Sequence, residues 1–170
     1  MTHPQYPDAP WIRADLSLPA RTLAEIEAQA VASFPSECCG FLFGPAGDVG
    51  VLDVAQPETN LADKYHAMDP ESFPRTSKTY FKINEMRAAR AVEQGATEGR
   101  PLKVIYHSHC DAGAYFSEED AATFSQGGLL MWPCAFLVVS VMDGKVAEHR
   151  LWQHVPGTDR FEEGTLNIVD

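Results

Sequence analysis

The sequence lacks any long apolar run, and its N-terminal end lacks a basic, apolar start. Its longest uninterrupted apolar stretches, residues 129–131 and 134–139, fall far short of the roughly 20 residues that a membrane-spanning helix needs. The first ten residues are rich in proline and polar groups, a composition unlike that of a secretory signal. We therefore expect a cytoplasmic protein that is not embedded in a membrane.

Positive charge is also scarce. The 24 acidic residues outnumber the 13 lysines and arginines and give a formal net charge of −11, so nucleic acid is not an expected partner.

The four cysteines lack the spacing of a disulfide framework or of a Cys-x-x-Cys zinc site. We expect Cys39 and Cys134 to be small buried apolar residues and Cys110 to be an unreactive thiol.

What is present suits a single α/β domain. The chain has 170 residues, of which 45% are apolar and 22% are charged, and this is enough to bury a core. Helical spacing of apolar residues predicts three helices, and short apolar runs predict three strands. We expect helices at 19–34, 84–94 and 117–125, and strands at 39–43, 102–107 and 135–142. This order predicts a three-layer α/β domain around a mixed β-sheet.

The remaining segments complete this prediction. Residues 49–55 and 145–153 are each expected to pair with the strand before them, the second across the strong turn signal Asp143-Gly144. Residues 56–82, interrupted by prolines, are expected to form an irregular connection, and a long connection of this kind is usually functional or mobile. We expect three parts in the chain: an N-terminal surface tail (1–18), the domain (19–155) and a C-terminal tail (156–170).

One segment has the pattern of a metal site. His107 and His109 are followed, after seven residues, by Ser117 and then Asp120. Residues i and i+2 of a strand face the same side, so both imidazoles can point to one place at the end of a strand. Gly113 lets the chain turn back, and Asp120 then lies one turn into a helix, on the face of Ser117. Three protein ligands with an open fourth position are typical of catalytic zinc sites.

Each half of this pattern also has a purely structural explanation. A His-x-His pair often occurs by chance, and the later Ser-x-x-Asp is a capping box for a helix N-terminus. The combination favours a site, because a buried strand that ends in two histidines places them at a sheet rim, where sites are commonly built. Without a family resemblance, Glu37 would be interpreted as an exposed carboxylate. The other histidines, His66, His149 and His154, are expected to be surface or hydrogen-bonded residues.

Taken together, the motif resembles the signature of the JAMM (MPN-plus) metalloproteases, in which His-Ser-His is followed after seven residues by Ser-x-x-Asp. The stretch Glu-Cys-Cys-Gly at residues 37–40 resembles the Glu-x-Cys-Gly that leads into the first strand of the bacterial stand-alone members. The resemblance covers residues 19–153. It implies the MPN (cytidine-deaminase-like) fold, a curved mixed sheet flanked by helices.

The resemblance also implies a role for each residue of the motif. His107, His109 and Asp120 would hold one zinc ion, with a water in the fourth position whose pKa the metal lowers toward about 7. Glu37 would act as the general base. Ser117 would donate a hydrogen bond to the oxyanion that develops on the substrate.

Members of this family cleave after the C-terminal Gly-Gly tail of ubiquitin-like proteins, so the resemblance implies a zinc-dependent peptidase or isopeptidase. The expected partner is a ubiquitin-like or sulfur-carrier protein with such a tail, and residues 56–82 are expected to form one wall of its groove. Two alternatives are a cell-wall or phage-tail peptidase of the same superfamily and a non-catalytic MPN scaffold. Scaffolds typically lose a metal ligand, whereas this chain keeps every one. The sequence leaves open the leaving group and the oligomeric state.

Overall fold

Four α-helices, ten strands and a short 3-10 turn at Pro10–Ile12 make up the computed structural model, which describes residues 2–170. The helices are α1 (Ala20–Ser33), α2 (Ala62–Met68), α3 (Glu85–Glu98) and α4 (Glu118–Phe124). The strands are β1 (Leu16–Pro19), β2 (Cys39–Phe43), β3 (Val54–Glu58), β4 (Leu102–Cys110), β5 (Ser125–Gln126), β6 (Leu129–Leu130), β7 (Ala135–Met142), β8 (Lys145–His154), β9 (Phe161–Gly164) and β10 (Leu166–Val169).

The main sheet has six strands in the order β3-β2-β4-β7-β8-β9. Its central pair, β4 and β7, is parallel, and all other neighbouring pairs are antiparallel. Both central strands are buried over nearly their whole length, which explains why their sequences are continuous apolar runs rather than alternating patterns. The predicted α/β fold with a mixed sheet and flanking helices is confirmed.

The two long helices follow the predicted patterns. α1 turns Leu23, Ile26 and Ala30 toward the core at helical spacing. α3 begins after Asn84, whose side chain accepts a hydrogen bond from the Arg87 N–H. It ends at Gly99, whose φ of 73° is the left-handed conformation that glycine adopts without strain. The predicted helices at 19–34 and 84–94 are confirmed, and the second extends four residues further.

The strand predicted at residues 49–55 is displaced, because pairing with β2 begins only at Val54, opposite Phe43. The fully buried Lys103 explains the shift. Its ammonium group lies 2.8–3.2 Å from four backbone carbonyl oxygens of the intervening loop, those of Pro45, Asp48, Val49 and Val51. These contacts fold the loop around the ammonium group, and pairing with β2 therefore starts only beyond Val51.

The segments predicted as tails both contribute strands to the fold, and the N-terminal one, predicted to lie on the surface, enters the core. Ile12, Leu16 and Leu18 are buried in the core. β1 pairs in parallel with β10, and β9 adds the last strand to the main sheet. Each of these strands has only four residues, too few for a clear alternating pattern.

The connection at residues 56–82 is irregular, as predicted, apart from the end of β3 and the seven-residue helix α2. A helix of two turns gives too little periodicity to be recognised in the sequence. No helix within residues 2–170 has both the length and the apolar character that a bilayer span requires.

Candidate metal centre

The two histidines of the motif lie near the end of β4, on one face of the sheet. β4 is paired on both sides, so that Cys39 of β2 lies opposite His107 and Ser140 of β7 lies opposite His109. This pairing fixes the backbone from which both side chains project. Their Nε2 atoms lie 3.2 Å apart, as the i, i+2 spacing predicts.

Asp120 completes a triangle of ligand atoms with these histidines. Its Oδ2 atom lies 3.1 Å from Nε2 of His107 and 3.3 Å from Nε2 of His109. A tetrahedral zinc ion with bonds of about 2.0–2.1 Å would hold its ligand atoms about 3.3 Å from one another. Spacing and donor chemistry therefore both fit one small divalent cation.

The start of α4 holds Asp120 in this position. Ser117 is the N-cap, and its Oγ accepts a hydrogen bond from the Asp120 N–H at 3.0 Å, while Oδ2 of Asp120 accepts one from the Ser117 N–H at 3.1 Å. The capping box and the ligand role therefore use the same carboxylate. The Ser117 hydroxyl proton has no acceptor within residues 2–170 and can be donated to a ligand.

Glu37 reaches the same face of the sheet from the segment before β2. Ser108 holds that segment, since its Oγ accepts a hydrogen bond from the Cys38 N–H at 2.8 Å and its own N–H donates to the Cys38 carbonyl at 3.0 Å. Ser108 thus points away from the histidines, as strand alternation predicts. Ligand atoms of Glu37, His107 and His109 lie within 4.8 Å of one another, and this group could hold a metal ion.

The hydrogen bonds of the rings show which nitrogen atoms are available to a metal. Nδ1 of His109 lies 2.8 Å from the Gly113 carbonyl oxygen, which can only accept, so Nδ1 carries the proton. In the neutral ring Nε2 then presents a lone pair to Oδ2 of Asp120. Two lone pairs 3.3 Å apart repel each other unless a cation, either a proton or a metal ion, lies between them.

Packing rather than hydrogen bonding orients His107. Its Nδ1 is buried and has no hydrogen-bond partner within residues 2–170, a costly arrangement. Phe81 stacks on the ring, with centroids 4.2 Å apart and planes inclined by 20°, and this contact fixes the direction of Nε2. No pattern in the sequence pointed to Phe81, because it lies in an irregular connection without periodicity.

Burial and mutual contacts shift the ionisation of the group. Burial raises the pKa of Glu37 to about 8, and His109 opposes this only in part. Burial also acts to raise the pKa of Asp120, but the two histidines lower it below its usual range. Burial lowers the pKa of His107, whereas the carboxylates beside His109 outweigh its burial and raise its pKa. An ionised Asp120 and a neutral His107 are the forms that bind a metal.

The residues of the site are almost inaccessible to solvent. Glu37, His107, His109 and Asp120 are only 6%, 0%, 4% and 5% exposed. Tyr115, in contrast, is 52% exposed, and its ring centroid lies 5.0 Å from that of His109.

The cysteines play no part in this chemistry. All four are free thiols, and Cys39 and Cys134 are fully buried, as predicted. Cys110 follows His109 directly, but burial raises the pKa of its thiol to about 12. It is therefore protonated and unreactive at neutral pH, as predicted.

A mixed β-sheet that brings two histidines and two carboxylates together at the end of a central strand, where they could hold a metal ion, defines an α/β domain with a candidate metal site as the class of protein. A family model described as prokaryotic homologs of the JAB domain matches residues 19–155. The chain belongs to this family. The resemblance to the bacterial JAMM/MPN domains, predicted from the motif, is thereby confirmed.

The fold is shared with several solved structures, although no curated protein matches the chain significantly in sequence. A protein from Desulfitobacterium hafniense is 22% identical with a TM-score of 0.64, over 91% of this chain and 93% of that one. A protein from Salinibacter ruber is 23% identical with a TM-score of 0.58, over 91% and 92%. A JAB1/MPN domain protein from Archaeoglobus fulgidus is 16% identical with a TM-score of 0.52, over 92% and 99%.

Proposed function

We propose that this protein is a zinc-dependent peptidase or isopeptidase that hydrolyses the amide bond after the C-terminal Gly-Gly tail of a ubiquitin-like or sulfur-carrier protein. One observation carries the proposal: Nε2 of His107, Nε2 of His109 and Oδ2 of Asp120 form a triangle with sides of 3.1–3.3 Å. The buried Glu37 carboxylate lies beside it. Membership of the prokaryotic JAB family supports the same class of reaction.

His107, His109 and Asp120 are the proposed zinc ligands. Zinc held by them would supply a Lewis acid and a bound water with a pKa of about 7. The protein prepares the donor atoms in advance, since the carbonyl of Gly113 fixes the tautomer of His109 and the capping box fixes the Asp120 carboxylate.

Glu37 is the proposed general base and, later in the cycle, the general acid. Its raised pKa of about 8 lies near the range in which one group can both accept and release a proton at neutral pH. Its carboxylate takes a proton from the attacking water and delivers it to the nitrogen of the leaving amine. Ser117 donates its free O–H to the carbonyl oxygen of the substrate as negative charge develops there.

The burial of the site favours a glycine tail as the substrate segment. Glycine has no side chain, so an extended Gly-Gly segment can pass where the four residues are at most 6% exposed, and backbone hydrogen bonds can orient it. Residues 56–82 are the proposed wall of the groove, because they support both Glu37 and His107 through the Ser77 carbonyl and Phe81. A scaffold role is less well supported, because the chain retains the complete set of metal ligands and the base.

Glu37→Gln tests the proposal. The neutral amide cannot accept a proton, so the variant should retain about one zinc per chain while hydrolysis falls by at least about 1,000-fold. The substrate is a small Gly-Gly carrier with a C-terminal extension, and intact mass measures its cleavage. Glu93→Gln is the matched control on the exposed surface of α3 and should hydrolyse the carrier at the wild-type rate.

Two results would contradict the proposal. Wild-type protein loaded with zinc that leaves a series of such carriers intact would exclude the peptidase function. A Glu37→Gln protein with near-normal turnover would remove Glu37 from the mechanism. Purified wild-type protein without stoichiometric zinc would instead favour the scaffold alternative.

A further inference from the structure

The backbone of Glu37 is held on both sides by the irregular connection that follows β3. The Glu37 N–H donates to the Ser77 carbonyl at 2.7 Å, and the Glu37 carbonyl accepts from the Asn60 side-chain amide at 2.9 Å. Ser77 is itself fixed, since Asp63 accepts from its N–H at 2.8 Å and from its hydroxyl at 2.7 Å. The position of the proposed base therefore depends on a segment that is distant in sequence.

Asn60 is the centre of this support, because its side-chain amide makes four hydrogen bonds. Its Nδ2 group donates to the carbonyls of Glu37 and Tyr80 at 2.9 and 3.0 Å. Its Oδ1 atom accepts from the N–H groups of Ala62 and Lys82 at 2.9 and 3.0 Å. An amide has two donors and two acceptor lone pairs, so the hydrogen-bonding capacity of Asn60 is fully used.

These four bonds connect the base to a proposed metal ligand. Two of them fix Tyr80 and Lys82, the residues on either side of Phe81. Phe81 is the aromatic ring that stacks on His107 at 4.2 Å. The Asn60 side chain is therefore hydrogen-bonded both to the backbone of Glu37 and to the two residues that flank Phe81, the ring that orients His107.

We propose that Asn60 is a positioning residue, which sets the Glu37 carboxylate and the Phe81–His107 stack at the correct distance from each other. The proposal rests on the function proposed above for Glu37 and His107. Asn60 itself does not contact the ligand atoms. Its effect is geometric, and displacement of a catalytic group by about 1 Å lowers turnover by about 100-fold.

The hydrogen-bond pattern explains why an amide is needed at this position. Aspartate has the same shape but no donor, so Asn60→Asp directs a carboxylate oxygen at the carbonyls of Glu37 and Tyr80. The two acceptor bonds, from Ala62 and Lys82, remain. The substitution therefore removes one of the two bonds that hold the backbone of Glu37, while it preserves the volume of the side chain.

The experiment measures zinc content, kcat and KM, and amide hydrogen exchange in Asn60→Asp. We expect about one zinc per chain, because no ligand is changed, and a kcat lowered by about 10- to 100-fold with KM nearly unchanged. The Glu37 N–H should exchange at least about tenfold faster, while the Ser108 N–H, which bonds to Cys38, stays protected.

Gln153→Glu is the matched control. The buried amide of Gln153 donates to the Ala14 carbonyl at 2.7 Å, away from the site. Replacement of this amide by a carboxylate should therefore lower Tm but leave kcat unchanged. Asn60→Ser, which introduces no charge, provides the same measurements if Asn60→Asp does not fold. Unchanged exchange at Glu37, or a kcat that falls equally in Gln153→Glu, would overturn the proposal. An inactive wild-type protein would overturn the proposed function, and the exchange result would then still decide whether Asn60 fixes Glu37.

Discussion

Two pairs of buried histidines in this molecule use their ring nitrogens in opposite ways. In the first pair, Nε2 of His107 and Nε2 of His109 converge on Oδ2 of Asp120, and the three atoms lie 3.1–3.3 Å apart. The proton of His109 is on Nδ1, toward the Gly113 carbonyl. A lone pair on Nε2 of His109 therefore faces the carboxylate of Asp120, which is favourable only with a cation between them.

In the second pair the nitrogens form a chain of donors and acceptors. Nε2 of His154 lies 2.6 Å from the Thr158 carbonyl oxygen and so must donate to it. Nδ1 of His154 then accepts from Nε2 of His3 at 2.8 Å, and Nδ1 of His3 accepts from the Gln5 N–H at 3.3 Å. Every ring nitrogen has a partner when both histidines are neutral.

The difference shows that burial of two neighbouring histidines does not by itself indicate a metal site. Both pairs are nearly inaccessible. What distinguishes them is whether a lone pair remains after the hydrogen bonds are assigned. His3 and His154 use all of theirs to attach the N-terminal segment, whereas Nε2 of His109 keeps a lone pair that is directed at Asp120.

The largest expected difference between the two histidine pairs is in their effect on zinc content. His109→Ala removes one of three ligand atoms, so zinc should fall from about one per chain to a small fraction, and hydrolysis should be lost. His154→Ala should keep its zinc, because no nitrogen of that ring is available to a metal. Elemental analysis of both proteins after dialysis against a weak chelator measures the difference.

Circular dichroism of the same samples separates loss of zinc from loss of fold. Equal zinc content in the two variants would show that the metal binds elsewhere. Loss of zinc from His154→Ala alone would reverse the assignment of the two pairs.

A smaller effect is expected from the serine beside each pair. Ser117→Ala removes the proposed oxyanion donor and a helix cap, so kcat should fall by about 10- to 100-fold and stability by about 1 kcal/mol. Ser125, whose hydroxyl lies 3.3 Å from His154 and donates to Asp159 at 2.6 Å, should affect stability alone when it is replaced by alanine. Enzyme kinetics and thermal unfolding of both variants test this contrast. A Ser117→Ala protein with full kcat would leave Ser117 only its capping role.

Much of the first pair's environment could be predicted because its signals are local. The apolar run before His107, the i, i+2 histidines and the Ser-x-x-Asp cap each occupy a few consecutive residues and have a fixed geometry. The hairpin around Asp143-Gly144 was predictable for the same reason, and β7 and β8 confirm it. Metal binding and catalysis by these residues stay predictions.

The parts that could not be predicted depend on contacts between distant residues. His3 and His154 are separated by most of the chain, and neither lies in a recognisable motif. Lys103 displaces β3 through carbonyl groups more than fifty residues away, and Asn60 supports Glu37 from a stretch without periodicity. Such contacts leave no spacing pattern in a single sequence.

The smallest expected effect is a pH dependence that belongs to the second pair. Burial lowers the pKa of both His3 and His154, with Arg13 adding to the effect on each and Asp159 opposing it at His154. The unfolded chain therefore takes up these protons at a higher pH than the folded chain. The stability that the neutral pair contributes is complete above about pH 6.5 and is lost as the pH falls through the folded pKa values.

His3→Phe removes one member of the pair and its titration. At about pH 7.5 the variant should unfold at a lower temperature than the wild-type protein, because Nδ1 of His154 loses its donor. At about pH 5 the difference in Tm between the variant and the wild-type protein should be smaller by at least about 2 °C. The reason is that protonation has removed the stability that the neutral pair contributes to the wild-type protein. Gln5→Ala is the matched control, because it breaks two hydrogen bonds between the same segment and Leu130 but removes no titrating group. Its Tm should differ from that of the wild-type protein by the same amount at both pH values. A difference in Tm between His3→Phe and the wild-type protein that becomes larger in acid would show that the pair is charged in the folded protein.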